Sequence, residues 1–297
     1  VASTVRSRRL GAELRKLREA KKLKADAVAE EMGFSRPKLS RIESGEVRVS
    51  LNDVKALLQA YGMDDEAQVR YFLTASREAR KAGWWHRYQD SLPREYAEYI
   101  ELEAAASEIR NFEPIMIPGL LQTEAYTRAA ILANPAILPP ADIEALVAIR
   151  IERQKAVGGE SPVRLWTIVG ESAIRQAVGG AAVLREQLHH LEERARQQHV
   201  VVQVLPHRVG AHAGLNGAFV AFGFPSEHEA DIVCVENMTG TLYMDEPGEC
   251  AAYGVAFDHL RATALSPDDS LTLIRHVAQE LEDDETNGTR YSQRPMA

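Results

Sequence analysis

The chain has 297 residues, which suits two domains better than one, and its 45% hydrophobic and 26% charged residues match a folded globular protein. No apolar run approaches the ~20 residues of a membrane-spanning helix, and none follows the basic start Val1–Arg9, so neither a membrane nor a secretion signal is expected. The two cysteines, Cys234 and Cys250, are too few for a disulfide framework or a metal site, and reduced thiols in a cytoplasmic protein are expected. The net charge of −8 argues against nucleic acid only when taken whole: Val1–Ala60 carries 14 Lys and Arg against 8 Asp and Glu, and the remainder 21 against 35.

Leu10, Leu14 and Leu17 recur at helical spacing and predict a first helix with Arg15, Lys16 and Arg18 outside its apolar face. A short second helix begins at Leu23 and buries Ala27, Val28 and Met32, with Gly33 ending it in a tight turn. Ser35 is the expected N-cap of a third helix, Pro37 lies in its first turn, where a missing N–H costs nothing, and Leu39 and Ile42 form its buried face. Gly45 falls at its C-terminal cap. Ser50 opens a fourth helix that buries Leu51, Val54, Leu57 and Leu58. Four short amphipathic helices, the middle two joined by a glycine-containing turn, predict an all-α helix-turn-helix domain.

The third helix turns Arg36, Lys38, Ser40 and Arg41 outward. A recognition helix enters the major groove N-terminus first, where Arg can pair doubly with guanine and Lys can serve guanine or a phosphate. Cations at a helix N-terminus oppose its dipole, a cost that DNA would offset. Leu10–Leu58, above all "MGFSRPKLSRIESGE" (Met32–Glu46), resembles the helix-turn-helix of the xenobiotic-response-element (XRE) family of bacterial and phage regulators, through Ser35, Leu39, Ser40, Arg41, Glu43 and Gly45. That family often opens its second helix with Thr-Gln. Here Lys24 and Ala25 stand there, so Lys24 can hold a phosphate but the glutamine contact is lost. The resemblance implies binding to double-stranded DNA through Lys24, Ser35, Arg36, Pro37, Lys38, Ser40 and Arg41.

A helix near Asp65–Lys81 completes a first domain over residues 1–82. Residues 83–96, with Trp84, Trp85 and Tyr88, break the periodicity and read as a linker whose aromatics, together with Tyr96 and Tyr99, pack between domains. Residues 97–283 then form an α/β or α+β body. Its expected order is a helix at Pro93–Glu108, a strand from Phe112, a helix headed by Thr123 and Glu124, and a helix at Pro139–Val157. A strand at Val163–Val169, a helix at Ala181–His199 and the β-branched strand Val200–Pro206 follow. Short strands at Gly217–Phe224, Asp231–Glu236 and Thr241–Met244 precede helices at Gly248–Ala264 and Pro267–Leu281, giving a sheet of four or five strands. Residues 284–297 read as a disordered tail.

The body, through "IPGLLQTEAYTRA" (Ile117–Ala129), "RIERQKAV" (Arg150–Val157), "LPHRVGAHAGLNGAFV" (Leu205–Val220) and "VCVENMTGTLYMDEP" (Val233–Pro247), resembles the C-terminal domain of actinobacterial WhiJ-like, antitoxin-like regulators. The resemblance implies a repressor or developmental switch, often encoded beside a small partner protein, and brings no catalytic residue. No enzyme signature stands against it. Gly170-Glu171-Ser172-Ala173-Ile174 starts like a nucleophile elbow but has Ile174 where the second glycine belongs. His207 and His212 lack a third ligand at metal spacing, so neither metal nor cofactor is expected. Pro206–Gly217 reads first as a plain connecting loop; as the segment after a buried strand it is also the best ligand or partner site, through His207, Arg208, His212 and Asn216. The expected protein is a homodimeric regulator on a palindromic operator, its body sensing a ligand or partner. The alternative is an antitoxin-like subunit that binds a small neighbour-encoded protein and uses DNA binding for autoregulation.

Overall fold

A computed structural model describes residues 5–80, 84, 94–133, 143–159, 162–225, 231–238 and 240–292. They divide into two compact units, the first taking in the N-terminal helices with Tyr96–Leu102 and the second the chain from Glu103 on together with Arg94 and Glu95. The segment expected as a linker lies almost wholly outside the described residues. Among its neighbours, Tyr99 is buried.

In the first unit α1 (Val5–Ala20), α2 (Ala25–Glu31), α3 (Arg36–Glu43), α4 (Leu51–Ala60) and α5 (Glu66–Arg80) appear in the expected order, and α6 spans Arg94–Ala105. Leu10, Leu14, Val28, Leu39, Ile42, Val54, Leu57 and Leu58 form one core with Tyr61 and Phe72. The second helix departs from expectation. It begins at Ala25, because Lys24 is still extended at φ −75°, ψ 136°. Its face is therefore rotated: Ala29 fills the core, Ala27 is exposed, and Leu23 packs from the preceding turn. Gly33 (φ 63°) and Gly45 (φ 69°) close α2 and α3 in the left-handed conformation expected of them.

Among the described residues of the second unit six strands run in the order β3-β2-β1-β4-β5-β6. They are β1 (Glu108–Glu113), β2 (Arg164–Gly170), β3 (Val200–Leu205), β4 (Phe219–Gly223), β5 (Ile232–Asn237) and β6 (Gly240–Met244). β1, β2 and β3 are mutually parallel, while β4, β5 and β6 continue the sheet antiparallel from β1. The body is thus α/β with a mixed sheet, wider than the four or five strands expected. The central strand β1 is the one displaced in the sequence reading, which put a helix up to Glu108 and a strand from Phe112. It contains Arg110, Asn111 and Glu113, a poor strand composition. The sheet meets two of these groups laterally: Thr167 Oγ1 donates to Asn111 Oδ1 at 3.1 Å, and Arg110 pairs with Asp231 through Nη2, while its buried Nε has no partner among the described residues.

Between β1 and β2 lie α7 (Glu124–Leu132), α8 (Ile143–Arg153) and α9 (Lys155–Gly158); between β2 and β3 lie α10 (Glu171–Arg175) and α11 (Ala181–Ala195). Helix α12 (Pro247–Thr263) places Phe257 and Leu260 against Phe112, Ile168, Leu205, Phe219 and Val233 of the sheet. The final helix α13 (Pro267–Ser292) continues past Leu281 into the segment expected to be a disordered tail. Cys234, buried in β5, and Cys250, on α12, are free thiols. Among the described residues no helix is long and apolar enough to cross a membrane, and no group of three His, Cys, Asp or Glu is placed to hold a metal.

Candidate nucleic-acid interface

The outer face of α3 is built by its own caps. Ser35 Oγ accepts from Lys38 N at 3.3 Å, Pro37 occupies the first turn, and Leu39, Ile42 and Glu43 are buried beneath. Glu43 lies under the helix rather than on its surface. Its carboxylate takes Arg18 Nε at 2.7 Å and Nη2 at 2.9 Å, Tyr61 donates to it at 3.5 Å, and Arg18 Nη1 reaches Leu23 O at 2.9 Å. The Glu43 carboxylate holds the Arg18 guanidinium above its ordinary range, and burial, reinforced by Glu43, raises the Tyr61 phenol. This closed network fixes α3 to α1 and to the end of α4.

Ser35, Arg36, Pro37, Ser40 and Arg41 are exposed, as is Lys24 at the head of α2. Lys38 differs: its ammonium sits 3.4 Å from the Phe34 ring centroid and 3.6 Å from Asp53 Oδ2, turned toward α4. Arg36 Nη1 donates to both oxygens of Asp26 on α2, at 2.7 and 2.8 Å. Arg41 folds its Nε back onto Pro37 O at 3.3 Å. The cations crowding the start of α3 were expected to have no compensating partner except DNA; Asp26 and Asp53 correct that. Sequence periodicity missed both because it reads one helix at a time, and these carboxylates sit on the helices before and after.

The Pro206–Gly217 loop leaves the carboxyl end of β3. His207 Nε2 lies 2.8 Å from Ser172 Oγ at the start of α10, and His207 N donates to Glu171 Oε2 at 3.0 Å. That backbone bond, then Arg175, holds the Glu171 carboxyl below its usual range. Among the described residues only Lys22 combines a side chain with a positive φ, so Ser172 lacks the strained turn of a nucleophile elbow. His212 is placed elsewhere, its ring 5.9 Å edge-on from Phe112 and its Nδ1 accepting from Gly214 N at 3.1 Å. Arg208 and Asn216 are exposed. The four predicted residues therefore share a sheet edge without converging on one point.

The same edge carries a carboxyl that sequence reasoning passed over. Glu113 ends β1; its carboxyl is pushed up to about 7, first by burial and then by Glu236, against the pull of Asn111 and Arg150. Since β4 is antiparallel to both β1 and β5, the carboxyl ends of β1 and β5 lie together. Ile115, Met116, Leu215 and Met238, which follow these strand ends or stand in the loop after β3, are exposed.

The family model described as Domain of unknown function (DUF5753) matches residues 96–276, and that described as Helix-turn-helix domain matches residues 9–71. Neither a curated protein nor a solved structure matches the chain.

Proposed function

Because the chain belongs to the family of the domain of unknown function DUF5753 and carries a helix-turn-helix domain ahead of it, we propose that it is a sequence-specific, DNA-binding transcriptional regulator. The observation that carries this reading is the outward face of α3: Ser35, Arg36, Pro37, Ser40 and Arg41 are exposed over a core that holds the helix rigid. In this reading Lys24 and Lys38 meet phosphates, and Arg36 and Arg41 meet base edges. A homodimer presents two such helices about 34 Å apart, one turn of duplex, to a palindromic operator. The body acts as the control input through the Pro206–Gly217 loop.

Equilibrium titration of the full chain on a duplex selected from a randomised pool tests the first claim. Affinity should fall steeply with salt, and Arg41→Ala should weaken binding by about 5- to 150-fold, relaxing preference at one base pair. Binding that is flat from low to high salt and indifferent to Arg41→Ala and Arg36→Ala overturns it.

A second reading, an antitoxin-like subunit resembling WhiJ-like regulators, draws support from the exposed Ile115, Met116, Leu215 and Met238 at one sheet edge. Here the edge receives a small protein encoded beside this chain, and DNA binding serves autoregulation. Gel filtration of the two purified proteins together should give a complex that Met116→Asp and Leu215→Asp weaken; separate elution excludes this reading.

A further inference from the structure

A carboxylate on the face of a DNA-reading helix pair needs a physical reason. Asp26 is two-thirds exposed, as is Arg36, so their ion pair adds little to folding, while its negative charge repels phosphate. Its place in the first turn of α2 suits the helix dipole, but that role calls for no arginine partner. The geometry of the pair suggests another use. Both Asp26 oxygens are taken by a single nitrogen, Arg36 Nη1, at 2.7 and 2.8 Å. Five N–H groups radiate from a guanidinium, and Nη1 supplies two of them. Spending those two on Asp26 leaves the edge formed by Nε and Nη2 without a partner among the described residues. On that edge two parallel N–H bonds point the same way, at the spacing that matches guanine O6 and N7.

We propose that Asp26 is a specificity-determining residue that holds Arg36 in the one orientation presenting its Nε–Nη2 edge to a guanine. The proposal rests on the helix-turn-helix reading and adds to it which group sets the discrimination. An arginine carries several rotatable bonds, and a free one loses most of that freedom on meeting a base. Anchoring Nη1 to the preceding helix restricts the side chain before DNA arrives. Docking then expels water from around the pair, which strengthens the attraction between Asp26 and Arg36 when the orientation matters most. Any base other than guanine leaves the held edge facing a mismatched pattern. Without Asp26 the arginine can swing to an acceptor on a neighbouring base, so total affinity survives while discrimination falls.

The test uses the full chain as wild type, Asp26→Ala, Asp26→Glu, Arg36→Ala and the Asp26→Ala/Arg36→Ala double variant. Each is titrated against the selected duplex and its single-base-pair variants at several salt concentrations. Expected are loss of preference for the same G·C pair in Asp26→Ala and Arg36→Ala, by about five-fold or more, no further loss in the double variant, and partial recovery in Asp26→Glu. The salt slope should be unchanged by Asp26→Ala, because the count of neutralised phosphates does not change. If Asp26→Ala instead tightens all sequences equally and keeps the G·C preference, Asp26 is only a repelling charge. If the preference it loses lies at a pair that Arg36→Ala leaves intact, Asp26 reads a base itself. Either result overturns the proposal and leaves the helix-turn-helix reading standing; wild-type protein that retains no duplex overturns both.

Discussion

At the scale of single residues, the first unit is held by positions that a hydrophobic pattern does not mark. A Cβ on Gly11 would stand 2.7 Å from the Glu43 carbonyl oxygen and collide with that of Ile42, so α1 crosses the end of α3 backbone to backbone. Gly11→Ala must push these helices apart and should lower the unfolding free energy by about 1–3 kcal/mol, read as a shifted denaturant midpoint at unchanged slope. An unchanged midpoint would mean that the crossing relaxes freely. Glu43 belongs to the same joint. It matches the XRE pattern without being among the expected DNA-binding residues, and it is buried against Arg18. A periodicity argument cannot foresee that contact, because it reports which side of a helix faces inward but not which charge waits there.

At the scale of elements, the segment "IPGLLQT" illustrates how a conspicuous motif can be structural. Gln122 Nε2 donates to Ile117 O at 2.7 Å, Gln154 Nε2 to Gly119 O and Gln122 O at 3.1 and 2.6 Å, and Gln187 Nε2 to Leu121 O at 2.7 Å. Three side-chain amides thus satisfy the carbonyls of a buried turn that no regular element pairs. Strand ends hold the titrating group. The folded value for Glu113 of about 7 lies above the ordinary carboxyl value of 4.5, so between these limits the folded chain binds more protons than the unfolded one. Stability contributed by the protonated form is complete below about pH 4.5 and is lost as pH rises through 7. Melting temperature should fall between pH 5 and pH 8 in the wild type, and Glu113→Gln should flatten the decline. A decline of equal slope in the variant would assign it to another group.

At the scale of the whole molecule, the two units have separate cores: one clusters around Leu14, Leu39 and Leu57, the other around Phe112, Phe219 and Phe257. Glu43→Gln removes the buried partner of Arg18 and should cost about 3 kcal/mol. Calorimetry should then show the transition of the helical unit moving down while that of the sheet unit stays; a single transition shifting as a whole would mean that both cores melt together. The opposite charges of the two regions fit the proposed division of labour, with phosphate meeting only the basic one.

The amino-acid sequence by itself determined the helical head, the core faces of α1, α3 and α4, the caps at Ser35 and Ser50, and most of the strands and helices of the body. These follow from local spacing and backbone preference, which act within a few residues. Only the tertiary structure decided that "EIRNFE" is the central strand, because the partners of Asn111 and Arg110, Thr167 and Asp231, come from distant parts of the chain. The structure alone also set Asp26 against Arg36, Asp53 against Lys38 and Glu43 against Arg18. Charge pairing between elements depends on distance in space, and spacing along the chain reveals only the pairs three or four residues apart on one helix.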